Sequence, residues 1–481
     1  MKRQHPIAVL RYIKGNIWLL IIPLARGLFS LKFDFYHWVK DTYMDIIVIL
    51  IIFGSAWLRW FFVQFEIQEK AIYVRKGVLL QSEYALPYSV ISCAAYYRPF
   101  LLRPFKAVKI ILDSDSYRRS EAGKKADVVL IVSEIYYSQI YKNIPNGFEA
   151  AEMNFRASKK ELLLFSMLFS STLPGIIYLG TFFVQGSRIV GEKIEMRIFS
   201  AVNDVTEVLR IFDEGVTPLA VALLMIISGG WLLSFIINLL RHLCFEIRWH
   251  GSNITIENGF FSRWKYYVNS SKINYVDLRQ NLLMKAVEVM SVHVSCTGYG
   301  KGKNELPVFV PVTTRRRVMN VIKSMLPDFT PSNILLKTKK SYVMVYVRLP
   351  LILVFGTAIA AAELEKNFPE WGSAVKFLGM MLEIPLVYLL AVKIAAKIST
   401  GIGVSRTALT IRYCKAYRFH TVIVPKGRIA YIKIRRTLFQ RVSGCCDVVI
   451  YTRGESVRAH RVRGIMFADV DKLVNDCDKM C

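Results

Sequence analysis

The sequence predicts an α-helical membrane protein with six transmembrane helices in three hairpins and three β-rich domains, each closed by a C-terminal helix. Three observations lead there. The chain is apolar for its length: 53% of its 481 residues are hydrophobic and its mean hydropathy is +0.34, whereas soluble domains are about 45–50% apolar. Apolar runs near the roughly 20 residues that a bilayer requires recur in pairs. The hydrophilic segments that follow the pairs repeat one another.

The apolar runs come in chain order. Residues 16–31 are short and carry Arg26, and 43–63 completes the first pair. Residues 162–184, interrupted by Pro174-Gly175, pair with 216–240, and 343–362 pair with 371–396. No small-residue cleavage site follows the first run, so a removable leader is not expected. The chain then divides into an N-terminal segment and hairpin (1–63), a first β-rich domain (64–158), a second hairpin (159–240, with an external loop at 185–215), a second domain (241–340), a third hairpin (341–398) and a third domain (399–481).

Charge sets the expected orientation. Lys+Arg 64 against Asp+Glu 36 gives +28, a balance that suits polyanions or an anionic membrane surface. The within-pair connections, residues 32–42, 185–215 and 363–370, hold seven Lys/Arg and eleven Asp/Glu, a net −4 that leaves +32 for the rest. By the positive-inside rule both termini and all three domains fall on the cytoplasmic side of a multi-pass protein.

The repeat aligns without gaps. IYVRKGVLLQSEYALPYSVI begins at Ile72 and ITIENGFFSRWKYYVNSSKI at Ile254, an offset of 182 that places Gly77 on Gly259 and Ile91 on Ile273. VPKGRIAYIKIRR joins at an offset of 338 from the first copy, placing Pro87 on Pro425 and Ile91 on Ile429. Alternating runs such as Ile254-Thr-Ile-Glu and Leu409-Thr-Ile-Arg suit half-buried strands. Gly77 and Gly259 suit a hairpin turn, and the third copy has no glycine there. Each copy should end in a strand (127–132, 306–311, 457–462) and a short helix (134–144, 313–325, 466–477), with Thr313 or Thr314 as N-cap of the second.

This order of hydrophobic pair, strand, glycine hairpin, strand, "LPYSVI/VNSSKI/VPKGRI", leucine-rich turn and terminal helix resembles the bacterial pleckstrin-homology family. The likeness is to the membrane-flanked domain-of-unknown-function type of the YdbS/YdbT-like group, in its longer, three-domain YdbT-like form; the opening Lys2-Arg-Gln-His-Pro-Ile is also similar. The resemblance implies pleckstrin-homology-like (PH-like) domains and no catalytic residue. It implies a bacterial inner-membrane protein that presents binding domains at the inner leaflet, as a scaffold in envelope stress or resistance to membrane-active peptides. A transporter or lipid translocase built on the six helices is the alternative.

The chemistry-bearing residues fit that reading. The seven histidines are dispersed, and neither a metalloprotease H-E-x-x-H nor a hydrolase G-x-S-x-G is present. The eight cysteines show no zinc spacing and no C-x-x-C, as in a reducing compartment. No enzyme activity, catalytic residue, cofactor or metal site is therefore expected. Cys296-Thr-Gly-Tyr-Gly-Lys-Gly-Lys-Asn lacks the phosphate-loop pattern and reads as a solvated hairpin loop. Basic clusters recur at Arg118-Arg119 with Lys124-Lys125, at Arg315-Arg316-Arg317, at Lys337 with Lys339-Lys340, and at Arg435-Arg436. Arg315, Arg316, Arg317, Lys337, Lys339 and Lys340 are the candidate contacts for anionic lipid, each worth about 1 kcal/mol at a membrane surface. Arg348 and Glu383 are the candidate intramembrane pair, since each would lower the cost of burying the other. The expected partners are anionic lipid of the inner leaflet and another membrane or cytoplasmic protein, such as a shorter PH-like membrane protein of the same family. Nucleic acid is not expected: of the basic residues interleaved with exposed aromatics that it would want, Tyr96-Tyr97-Arg98 is only a thin echo.

Overall fold

The computed structural model describes residues 1–20, 35–114, 127–143, 153–169, 200–208, 218–259, 262–299, 307–453 and 458–470. It forms two compact units. The first comprises Met1–Arg156, Cys244–Lys272 and Cys296–Lys303; the second comprises Ala157–Leu243, Ile273–Ser295 and Asn304–Cys481.

The first unit holds two antiparallel sheets. Sheet one runs β1 (Lys2–Arg3), β2 (Gln64–Ile67), β3 (Ala71–Lys76), β4 (Ser82–Pro87). Sheet two has seven strands: β5 (Ile91–Arg98), β6 (Ala107–Ser114), β7 (Val128–Ser133), β8 (Met153–Arg156), β9 (Glu246–His250), β10 (Asn253–Asn258) and β11 (Arg263–Asn269), in the order β7-β6-β5-β11-β10-β9-β8. Phe65, Ile72, Val74 and Leu86 of sheet one share a core with Ile91, Ala94, Tyr96, Val108, Ile110 and Leu130 of sheet two. Each such Val, Leu, Ile or Phe side chain, removed from water, contributes about 1.5–3 kcal/mol. α1 (Val9–Asn16) lies against α2 (Phe35–Phe61), where Asn16 Nδ2 donates to Ser55 Oγ at 2.6 Å and Trp60 Nε1 to the Gln4 carbonyl at 3.1 Å. α3 (Glu134–Asn143) closes the first copy, with Ile140 fully buried in the same core.

The second unit repeats the scheme. Sheet three has β12 (Ile273–Gln280), β13 (Val289–Cys296), β14 (Val308–Thr314), β15 (Leu336–Lys337), β16 (Gly401–Val404), β17 (Ala408–Lys415) and β18 (Arg418–Pro425), in the order β14-β13-β12-β18-β17-β16-β15. Sheet four is β19 (Ile429–Arg435), β20 (Cys445–Thr452), β21 (Arg458–Met466). Leu409, Ile411, Val422 and Val424 pack against Cys446, Val448, Ile450, Val462 and Ile465. The helices are α4 (Lys159–Phe169), α5 (Pro218–His242), α6 (Leu282–Ala286), α7 (Arg315–Met325), α8 (Val343–Asn367), α9 (Gly372–Ser399) and α10 (Leu438–Val442).

The repeat register holds. A short 3-10 turn precedes Ile91, Ile273 and Ile429 alike: Tyr88–Val90, Ser270–Lys272 and Lys426–Arg428. The strands of the second copy are divided, β9–β11 joining sheet two and β12–β14 sheet three. Gly77 has φ +120, and a Cβ there would meet the Leu80 carbonyl, so only glycine fits that turn. The third copy closes its first hairpin without glycine, Lys415 facing Arg418 while Ala416 adopts φ +54. Of the third terminal helix only the first turn, from residue 467 to 470, is described.

The expectation of six transmembrane helices is corrected. Among the described residues two helices are long and apolar enough to cross a membrane, Val343–Asn367 and Leu378–Ser399. Within the described residues the second expected run gives the apolar stretch Ile46–Phe61 and the fourth gives Leu224–Leu240. Beside α2, Asn16 Nδ2 donates to Ser55 Oγ and Trp60 Nε1 donates to the Gln4 carbonyl. Most of the first and third expected runs, much of the 185–215 loop and the Arg118–Lys125 cluster lie outside the described residues.

Candidate functional site

The second unit carries a cavity of about 360 Å³, and the strand order explains its lining. Leu278 of β12 stands opposite Thr421 of β18, which stands opposite Arg412 of β17; one step along, Gln280 stands opposite Phe419. Side chains at i and i+2 share a face, so these residues form a floor on one side of sheet three. Lys285 at the end of α6, Arg315 and Met319 of α7, the segment Pro331–Asn333 and Ser399 complete the wall. Ser399 is the last residue of the apolar helix α9.

The lining is rich in positive charge. Burial lowers the pKa of Lys285, and the nearby Arg412 guanidinium lowers it further. Burial lowers Arg412 in turn, with Arg315 adding to the effect. Arg412 Nε is buried without a hydrogen-bond partner. Lys285 Nζ lies 4.8 Å from the centre of the Phe419 ring, a cation–π contact. Glu288 is the one carboxylate in the lining. Cations that depress one another in a partly desolvated space favour a bound anion, because it would relieve both the repulsion and the lost hydration.

The opposite face of the same strands holds a buried ionic network. Asp277 accepts from Arg279 Nε at 2.7 Å and pairs with His420 Nδ1 at 3.0 Å. Burial alone would raise the Asp277 pKa; the charges and hydrogen bonds of His420 and Arg279 outweigh it and hold the carboxyl well below the usual range. Tyr413 Oη lies 3.0 Å from His460 Nδ1. Burial lowers the His460 pKa to about 4.

The residues singled out from sequence separate into different roles. Arg315 lines the cavity. Arg317 pairs with Glu161 at 2.8 Å, and Thr313 donates to the same carboxylate, which also caps α4 through Ser158. Thr314 is the N-cap residue of α7 but makes no side-chain cap bond. Arg316 and Lys337 are exposed, Lys339 Nζ donates to the Ser443 carbonyl, and Lys340 opens a 3-10 turn. Glu383 accepts from Thr357 Oγ1 at 2.6 Å, while Arg348 is exposed on α8, so Glu383 finds a partner other than the expected arginine. The start of the glycine-rich loop folds down rather than standing free. Gly298, at φ +83, lies so close to Asp113 that a Cβ would sit 2.4 Å from it, and the Thr297 carbonyl accepts from Ser92 Oγ.

Sequence reasoning missed Lys285, Arg412 and Asp277. The last had a legible signal: Asp277 and Arg279 stand two residues apart in one strand, which places both on one face.

The sequence profile described as bacterial PH domain matches three times, at residues 19–135, 196–326 and 351–480. The chain belongs to the bacterial PH domain family. No curated protein matches it. PH domains are in general non-catalytic binding modules, so three of them in one bacterial PH chain point to a binding or scaffold role.

Proposed function

We propose that this bacterial PH protein is a non-enzymatic binding platform, held at the bacterial inner membrane by the α8–α9 hairpin, whose second-unit cavity takes the headgroup of an anionic lipid. One observation carries the reading: Lys285, Arg315 and Arg412 line a cavity whose wall includes the end of α9. If α9 crosses the bilayer, its end lies at the lipid–water boundary, where anionic headgroups are. Arg316, Lys337, Lys339 and Lys340 are then supporting surface charges on the cytoplasmic side, and Arg317 contributes less because Glu161 already occupies it. Threefold order supports placement with YdbT-like members, and with it the role in envelope stress.

The test uses full-length protein in neutral detergent. A short-chain phosphatidylglycerol, a phosphatidylcholine of equal length and inorganic phosphate are titrated separately. Phosphatidylglycerol is expected to bind, with affinity falling as salt rises. Arg412→Gln and Lys285→Gln are expected to weaken it about tenfold each, the scale of a lost charge-assisted hydrogen bond. Equal binding of the neutral lipid, or no change in either variant, overturns the headgroup site. Binding of phosphate with no gain from the lipid tail would assign the cavity to a soluble anion.

A further inference from the structure

The two seven-stranded sheets are built by the same junction. In sheet two, β5 of the first copy pairs antiparallel with β11 of the second, Cys93 facing Val268 and Tyr97 facing Trp264. In sheet three, β12 of the second copy pairs with β18 of the third, Val276 facing Ile423 and Arg279 facing His420. Shifted by the repeat offsets of 182 and 338, the two registers coincide: Cys93–Val268 maps to positions 93 and 86 of the first copy, Val276–Ile423 to 94 and 85.

Among the described residues this rule leaves two strands without a counterpart. β4 is the equivalent of β11 and β18, and among the described residues no strand pairs with its outer side, so sheet one ends at β4. β19 is the equivalent of β5 and β12, and among the described residues no strand pairs with its outer side, so sheet four ends at β19. Their exposure records the difference. Cys93 and Tyr275 are each 1% exposed, and their equivalent Tyr431 is 52% exposed. Edge strands present unpaired backbone groups that template pairing, and repeat arrays grow by identical neighbour interfaces.

We propose that β19 of one molecule pairs antiparallel with β4 of a second copy of this chain, in the register of the two internal junctions. That register sets Tyr431 opposite Leu86, Lys433 opposite Tyr84 and Arg435 opposite Ser82. The contact is head-to-tail, so it leaves a free β4 on one molecule and a free β19 on the other and extends with concentration. It does not depend on the anion site.

Two singly substituted full-length proteins with different tags, Ser82→Cys and Arg435→Cys, are mixed in detergent and oxidised. A disulfide joining the two tags is expected, and Ser82→Cys with Ala430→Cys, five positions off register, is expected to give far less. Self-association is measured in parallel by sedimentation. Ser82→Lys sets like charges opposite each other and is expected to weaken association roughly two- to fivefold, and adding Arg435→Glu to restore it. Monomers at all concentrations overturn the proposal, as does equal crosslinking off register. A disulfide that forms only within one doubly substituted chain overturns it in favour of closure within the molecule.

Discussion

The two internal junctions share a register and differ in chemistry. Where β5 meets β11 the contacts are aromatic: Tyr97 stacks on Trp264 with ring centres 4.0 Å apart, and Tyr96 meets Tyr267 edge-on at 5.4 Å. Where β12 meets β18 they are ionic, with Asp277 held by Arg279 and His420. One backbone geometry therefore accepts either kind of side chain, so the ladder of main-chain hydrogen bonds defines the junction and the side chains tune it. The two junctions should respond differently to charge, to pH and to loss of a ring.

The largest difference should come from Asp277→Ala. The substitution leaves Arg279 and His420 beside a buried, uncompensated site, and breaking a buried pair in this way costs about 3–5 kcal/mol. Hydrogen exchange across β12 and β18 should accelerate by that amount while β5 and β11 keep wild-type protection. Uniform acceleration in both sheets would show that the junctions are not separate.

Acid should separate them next. His460 has its pKa lowered from 6.5 to about 4 by burial. The unfolded chain therefore binds a proton that the folded chain refuses. Stability is full above pH 6.5, falls as pH drops toward 4, and levels off below. At about 1.4 kcal/mol per pKa unit the loss is roughly 3 kcal/mol. Asp277 has the opposite charge type and a lowered pKa, so its contribution persists through that window and is lost only below the ordinary carboxylate value of 3.8. The aromatic junction has no such group: burial raises the pKa of Tyr96 and Tyr267, so both stay neutral. Exchange measured from pH 7 to 4.5, corrected for intrinsic rates, should rise in sheet three and stay level in sheet two. His460→Gln should flatten the response.

How much of this was readable beforehand follows from which interactions are local. The alignment of Ile91, Ile273 and Ile429 was legible because each opens its strand after a short turn, a feature carried by neighbouring residues. The terminal helices were legible at Glu134–Asn143 and Arg315–Met325 for the same reason. The junctions were not. Nothing in the text of β11 states that its partner is β5, because main-chain hydrogen bonds carry no side-chain signature. The cavity was hidden likewise: Lys285 and Arg412 are far apart in sequence and meet only because β12 lies beside β18. Hydropathy picked out six apolar runs, and among the described residues two helices, Val343–Asn367 and Leu378–Ser399, have the length and composition to cross a membrane.

Gly298 gives the next effect, confined to the first unit. Its φ of +83 and its approach to Asp113 exclude a side chain. Gly298→Ala should cost about 1–3 kcal/mol, the scale of a strained backbone position. The loss should appear in the exchange of β5 and β6, which Ser92 and Asp113 bring to the loop. Gly251→Ala is the control: it also has positive φ, but a Cβ there meets nothing within 4 Å, so it should cost less.

The smallest effect is the most direct measure of what side chains add to the shared register. Trp264 stacks on Tyr97 and also on Tyr266, whose ring lies 5.4 Å away and nearly parallel. Single truncations of Tyr97 and Trp264 mix lost burial with lost stacking, so only their coupling isolates the pair. A double-mutant cycle on Tyr97→Ala and Trp264→Ala, read by exchange of β11, should give about 0.5–1.5 kcal/mol. That is well below the cost of removing Asp277, because an aromatic pair leaves no unpaired charge when it is broken. A coupling near zero would mean that the first junction rests on its backbone ladder alone. A coupling as large as the Asp277 effect would mean that the rings, rather than the ladder, hold β5 against β11, and the argument from a common backbone geometry would fail.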